Sequence, residues 1–197
     1  MYDQYFNYCF FVIIGDVDHP EQPKRIQRIF EKHVEYGLLD RKDLIKLHSR
    51  KATDEELCLV HDAEHVTAMK NSVDLTQNQL DKLAGNLNSI YLNPDSYDSA
   101  LLATGSLLNV IDKVCEEEVT KGVAIIRPPG HHAEAEEACG FCIFNNVAVA
   151  GMYFFSVKID TSRCSKIGKK CNFKSTKTHF LQFKKWQKNQ FLHKKKV

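Results

Sequence analysis

From Pro20 to Leu38 the apolar positions Ile26, Ile29, Phe30, Val34 and Leu38 fall mostly three or four residues apart. That spacing collects them on one face of a helix, which Gly37 is placed to end. Thr53 and Glu56 have Thr-x-x-Glu spacing, a capping box that opens a second helix through Leu57, Val60 and His61 to about Lys70. The stretch from Asp74 to Asn88 is polar and reads as a loop or a weak helix. Asn93, Pro94, Asp95 and Ser96 then form a turn and cap ahead of a long helix carrying Leu101, Leu102, Leu108, Ile111 and Val114.

The pattern changes at Gly122 to Arg127, GVAIIR, a short β-branched run without polar alternation. Such a run predicts a parallel strand buried on both faces. After a loop, Asn145 to Ala150 starts another helix. Helix, strand, loop and helix in that order is α/β organisation, in which ligands sit outside the carboxyl ends of the strands. His131 and His132 lie at that end of the predicted strand, behind a rigid Pro-Pro-Gly turn.

Two adjacent histidines are poor zinc ligands by themselves, because neighbours on extended backbone point apart and catalytic zinc takes about three protein ligands. They suit proton transfer better. One ring removes a proton from an attacking water while the other, kept charged, stabilises developing negative charge. His33, His48, His179 and His193 stand alone and read as structural or exposed.

Two rival motifs compete. Cys139-Gly140-Phe141-Cys142 before a helix fits a thioredoxin-like redox pair. His61-Asp62-Ala63-Glu64-His65 fits the inverted zinc-peptidase pattern, with a polar helix surface as the plainer reading.

Composition sets the outer limits. The chain has 197 residues, 43% of them hydrophobic, which accommodates one ordinary globular domain. The apolar run Tyr8 to Ile14 falls far short of the roughly 20 residues a bilayer requires. Seven cysteines at irregular spacing fit reduced thiols, so the expected location is cytoplasmic or nuclear. The formal charge of +2 conceals a division: residues 1–150 carry 14 Lys+Arg against 24 Asp+Glu, and residues 151–197 carry 13 against 1. Lysine clusters attract phosphate, but this tail lacks interleaved aromatics for base stacking. It is read as disordered, without a nucleic-acid site.

RPPGHHAEAEEACGFCIFNNVAVA resembles the zinc-dependent histone deacetylases of class II, most closely the tandem-domain, tubulin-deacetylating class IIb branch. DHPEQPKRI, KATDEELCLVHDAEHV and NSIYLNPDSYDSALLATGSLLNVID support the resemblance, which runs from about Asp18 to Ala150. It implies an α/β arginase-deacetylase fold, a parallel sheet with helices on both faces, and zinc-dependent hydrolysis of N6-acetyl-lysine on a histone tail, tubulin or another protein. It casts His132 as general base and acid and His131 as its electrostatic partner. Phe141, with Gly140 beside it, matches a wall of the channel for the substrate's methylenes. Ser89 matches the rim serine that accepts the substrate's backbone N–H, and His19 and Pro20 match a rim loop.

The same resemblance implies zinc ligands from an Asp-x-His and a later aspartate, and neither motif follows Ala150. The chain is therefore expected to hold the first half of a catalytic domain, truncated, with no metal ligands of its own and no deacetylase activity alone. Residues 1–17 are read as a non-homologous extension and 151–197 as a lysine-rich tail. Both limits match splice patterns: Gly151-Met152-Tyr153 can be encoded by a donor-like GGTATGTAT, and Cys9 to Gly15 by a T-rich acceptor-like tract. The alternatives are a non-catalytic short isoform that binds a deacetylase partner or substrate, and a thiol oxidoreductase.

Overall fold

The computed structural model describes residues 19–155. Helix α1 spans Pro23–Glu35, with proline in its first turn, where a missing N–H costs nothing. Gly37 has φ 63° and ends the helical course, as the sequence predicts. Thr53 and Glu56 form the expected capping box at the start of α2, Asp54–Leu57.

The predicted continuation to Lys70 does not occur. The chain leaves the helix after Leu57 and restarts as α3, Ala63–Asn71. The reason is tertiary: extended Asp62 gives its N–H to the Ala135 carbonyl at 2.9 Å, a bond that an uninterrupted helix would forbid. The polar stretch after Asp74 forms α4, Gln77–Gly85, started by a Thr76/Gln79 capping box and burying Leu80 and Ala84. The turn at Asn93 is as expected. Asn93 N–H donates to Ser96 Oγ at 2.9 Å, Asp95 N–H donates to Asn93 Oδ1 at 3.1 Å, and α5 runs from Ser96 to Cys115.

Helix α5 is the central element. Ala100 and Leu101 join Leu57, Val66, Leu80 and Phe144 in the larger hydrophobic cluster, while Leu108 packs with Val149 and Tyr153 in a smaller one. Tyr153 lies at the end of α6, Asn146–Tyr153, and donates its hydroxyl to Asp112 at 2.9 Å.

The predicted strand is the main correction. Residues 122–127 form no strand, and Val123 is 75% exposed rather than buried. A strand needs at least one neighbouring strand to pair with, and among the described residues there are only isolated bridges, Asn88 with Cys139 and Cys139 with Cys142. The apolar run marks residues suited to burial but carries no information about which segments will cover them. The proposed limits at residues 17 and 151 concern segments largely outside the described residues, although α6 continues through Gly151.

Gly105 shows how tightly α5 is packed. A Cβ there would lie 2.2 Å from Arg50 O and 2.6 Å from Ala52 N. Alanine would gain about 1 kcal/mol in helix propensity, but the clash is with backbone, which can retreat only by moving the segment that donates Ala52 N–H to Leu101 O. Gly105→Ala is therefore expected to destabilise the protein by a net of about 1–3 kcal/mol, as for other overpacked interiors. A urea-unfolding midpoint at or above that of the unmodified chain would refute it.

Candidate active site

The turn that carries the two histidines is held from three directions. Arg127-Pro128 is a cis peptide, and Gly130 follows with no room for a side chain, since a Cβ would lie 2.1 Å from the Asn146 amide carbon. Gly130 O accepts the Val147 N–H at 2.9 Å, which seats the turn on the first residues of α6. The N–H groups of His131 and His132 both point at Cys142 Sγ, at 3.4 and 3.5 Å. Because the backbone bends here, the rings do not diverge as neighbours on an extended strand would: their centroids are 4.1 Å apart. Both histidines are exposed.

Gly140 and Phe141 have φ of 56° and 69°, two successive left-handed residues joining Cys139 and Cys142, whose backbones exchange hydrogen bonds of 3.0 Å. Glycine meets two demands here. A Cβ on Gly140 would lie 2.9 Å from His132 Cβ and Cγ. The N–H groups of Gly140 and Phe141 donate to Asn88 O and Ser89 O, each at 2.9 Å, and Ser89 is exposed with φ 53°. His19 places its ring edge-on to Phe141 with centroids 4.9 Å apart, and Pro20 beside it is exposed. The structure thus gathers His131, His132, Gly140, Phe141, Ser89 and the His19-Pro20 segment into one neighbourhood from three distant parts of the chain. A small cavity nearby is lined by Glu21, Tyr91, Asn93, Arg127 and Phe141, and by neither histidine of the pair.

His61 and His65 are not the polar helix surface that the sequence suggests. They are 3% and 5% exposed and both pack on Phe144. His61 Nε2 accepts the Asn145 N–H at 2.9 Å, which leaves Nδ1 to donate to Ala135 O at 3.3 Å. His65 Nε2 bonds Ile143 O at 2.9 Å. Both rings therefore brace the loop behind the exposed pair rather than facing a metal. The readable signal was the placement of His65 with Val66 and Met69 on a buried helix face. Burial, and the neighbouring His65, lower the His61 pKa to about 4; burial also lowers that of His65.

Cys139 and Cys142 are thiols. The Cys142 sulfur is fully buried and serves the backbone, receiving the two histidine N–H groups and donating to Gly140 O at 3.3 Å.

Comparison with known proteins decides the family. The profile of the histone deacetylase domain matches residues 19–167. The chain belongs to the histone deacetylase family. It is 47% identical over 144 residues to histone deacetylase 5 of Arabidopsis thaliana, covering 73% of this chain and 22% of that protein. It is 41% identical over 142 residues to histone deacetylase HDA1 of Saccharomyces cerevisiae, covering 67% and 20%. With the human polyamine deacetylase HDAC10 it shares 38% identity over 133 residues, covering 68% and 20%. The crystal structure of the HDA15 HD domain superposes with a TM-score of 0.60 at 31% identity, covering 71% of this chain and 37% of that one. The chain thus spans about a fifth of the length of these curated relatives. Its fold is the arginase-deacetylase fold, present as part of a domain.

Two outcomes follow. Gly140→Ala must distort a left-handed residue and push against His132, costing about 1–2 kcal/mol. It should also shift the His132 ring resonances in NMR while leaving those of His33 in place; unchanged His132 signals would refute the contact. The second concerns pH. His61 is neutral in the fold but takes up a proton when unfolded, so its contribution is complete above its ordinary pKa of 6.5 and is lost as pH falls from there toward about 4. Stability should fall by about 2 kcal/mol between pH 7 and 5 on this account, and His61→Gln should flatten that slope. Parallel pH slopes for both proteins in urea titrations would contradict it.

Proposed function

We propose that this chain carries the proton-transfer half of a protein lysine deacetylase site of class II, nearest in its motifs to the tandem-domain, tubulin-deacetylating branch. The supporting observation is the His131–His132 pair, with ring centroids 4.1 Å apart on a braced turn beside Phe141, Ser89 and His19. His132 serves as the base that takes a proton from water and returns it to the leaving lysine amine. His131 faces the negative charge that develops. Phe141 and Gly140 flank the acetyl-lysine side chain, and Ser89 and Pro20 belong to the rim that meets the substrate backbone.

Zinc supplies the Lewis acid and activates the water in the intact family domain. Among the described residues no group of three or more His, Cys, Asp and Glu side chains is arranged to hold a metal ion. The described residues therefore do not fit the ion. The substrate is an acetylated protein, in the cytoplasm or nucleus. Among the described residues no helix is long and apolar enough to cross a membrane.

An acetyl-lysine peptide assay tests this reading. The purified 197-residue chain, with added Zn²⁺, should release no acetate above buffer. The same chain continued with the following half-domain of Arabidopsis histone deacetylase 5 should release it, and His132→Ala should then lower the rate about 10²- to 10⁴-fold. Turnover by the unextended chain, or an active His132→Ala hybrid, would overturn the assignment.

A further inference from the structure

Arg127 is the residue immediately before the cis-proline turn, and its guanidinium is buried, with 7% of its side chain exposed. It does not face solvent. It forms a two-point pair with Glu21, Nε to Oε1 at 3.1 Å and Nη2 to Oε2 at 2.9 Å, and Nη2 also bonds the Tyr91 hydroxyl. Tyr91 in turn donates toward Glu21, with its oxygen 3.1 Å from Oε2 and 3.0 Å from the Glu21 carbonyl. The Glu21 carboxylate is 4% exposed, and half-exposed Arg25 is the other cation near it, at 3.7 Å. Burial pushes the Tyr91 hydroxyl up to about 12, so it remains a donor throughout the physiological range.

These three residues come from the three segments that meet at the site. Glu21 follows His19 and Pro20, and its N–H donates to His19 Nδ1 at 3.1 Å. The Tyr91 ring is edge-on to His19, with centroids 4.6 Å apart, and His19 is edge-on to Phe141. Ser89, two residues before Tyr91, accepts the Phe141 N–H. The rim and the histidine pair are thus joined directly, by the Ser89–Phe141 bond and the contact of Gly140 with His132, and a second time through the buried cluster and the His19 ring packed on it.

We propose that Glu21, Tyr91 and Arg127 are positioning residues that set the spacing between the rim loop, the Phe141 wall and the His131–His132 turn. The inference rests on the reading of those segments as rim, wall and proton-transfer turn. A buried guanidinium makes an effective anchor because its fork fixes direction as well as distance, and because moving Glu21 or Tyr91 away would leave a charge inside without partners. None of the three touches the reacting atoms in this arrangement; they act through the backbone and through His19.

Amide hydrogen exchange on the full chain tests this without requiring turnover, so its result is independent of the acetate assay. Tyr91→Phe removes only the hydroxyl and keeps the ring against His19. It should speed exchange at the Glu21, Phe141 and His131 amides together by about tenfold or more, while Leu80 and Leu108, in α4 and α5, change less than about twofold. Arg127→Lys, which keeps the charge and loses the fork, should give the same pattern. Equal acceleration at all five amides would reduce the cluster to ordinary structural support and overturn the proposal. Acceleration at Glu21 alone would also overturn it, because the rim would then move without the wall or the turn.

Discussion

Between Arg127 and Asn145 the chain crosses the molecule with neither a helix nor a strand ladder, yet much of it is buried. Backbone polar groups removed from water need partners, and a segment without regular structure must borrow them. That requirement organises the site. Ala135 O receives the Asp62 N–H and the His61 ring, Ile143 O the His65 ring and Gly130 O the Val147 N–H, while the Asn145 N–H donates to His61 Nε2. The helices are interrupted, shortened and capped around this loop.

The same accounting explains the residue choices within it. A sulfur at Cys142 accepts two consecutive N–H groups at 3.4 and 3.5 Å. Thiols are weak acceptors, so neither bond is strong. Holding both amides from one point nevertheless bends the backbone at the histidine pair and brings the two rings together. Neutral histidines at 61 and 65 are suited to bracing because an imidazole can accept on one nitrogen and donate on the other. A protonated ring could not accept the Asn145 N–H. The support of the exposed pair therefore depends on a second, buried pair that remains uncharged.

Much of the helical framework was legible. Capping residues act within a few residues of themselves, so Thr53 with Glu56 and the Asn93–Ser96 turn announce helix starts wherever the rest of the chain lies. Gly37 ends α1 for an equally local reason. The Thr76/Gln79 box is a local signal of the same kind, masked by the polar character of its stretch; its helix buries only Leu80 and Ala84. The break between α2 and α3 had no local signal, because its cause is Ala135, distant in sequence. The exposure of Val123 in the run 122–127 is similar: β-branched residues state a preference for burial, and neighbours that are not local decide whether it is met.

What the sequence alone determined about this protein is its family and the residue types at its site, because a motif such as RPPGHH with GFC-x-FN constrains chemistry at fixed short spacing. Tertiary structure alone decided that the two histidine rings converge, that His61 and His65 face inward, that Cys142 serves amides, and that Glu21, Tyr91 and Arg127 meet. The physical reason is common to all four. Hydrogen bonds and ring contacts between segments separated by up to about a hundred residues depend on where the chain returns, and local periodicity contains no term for that.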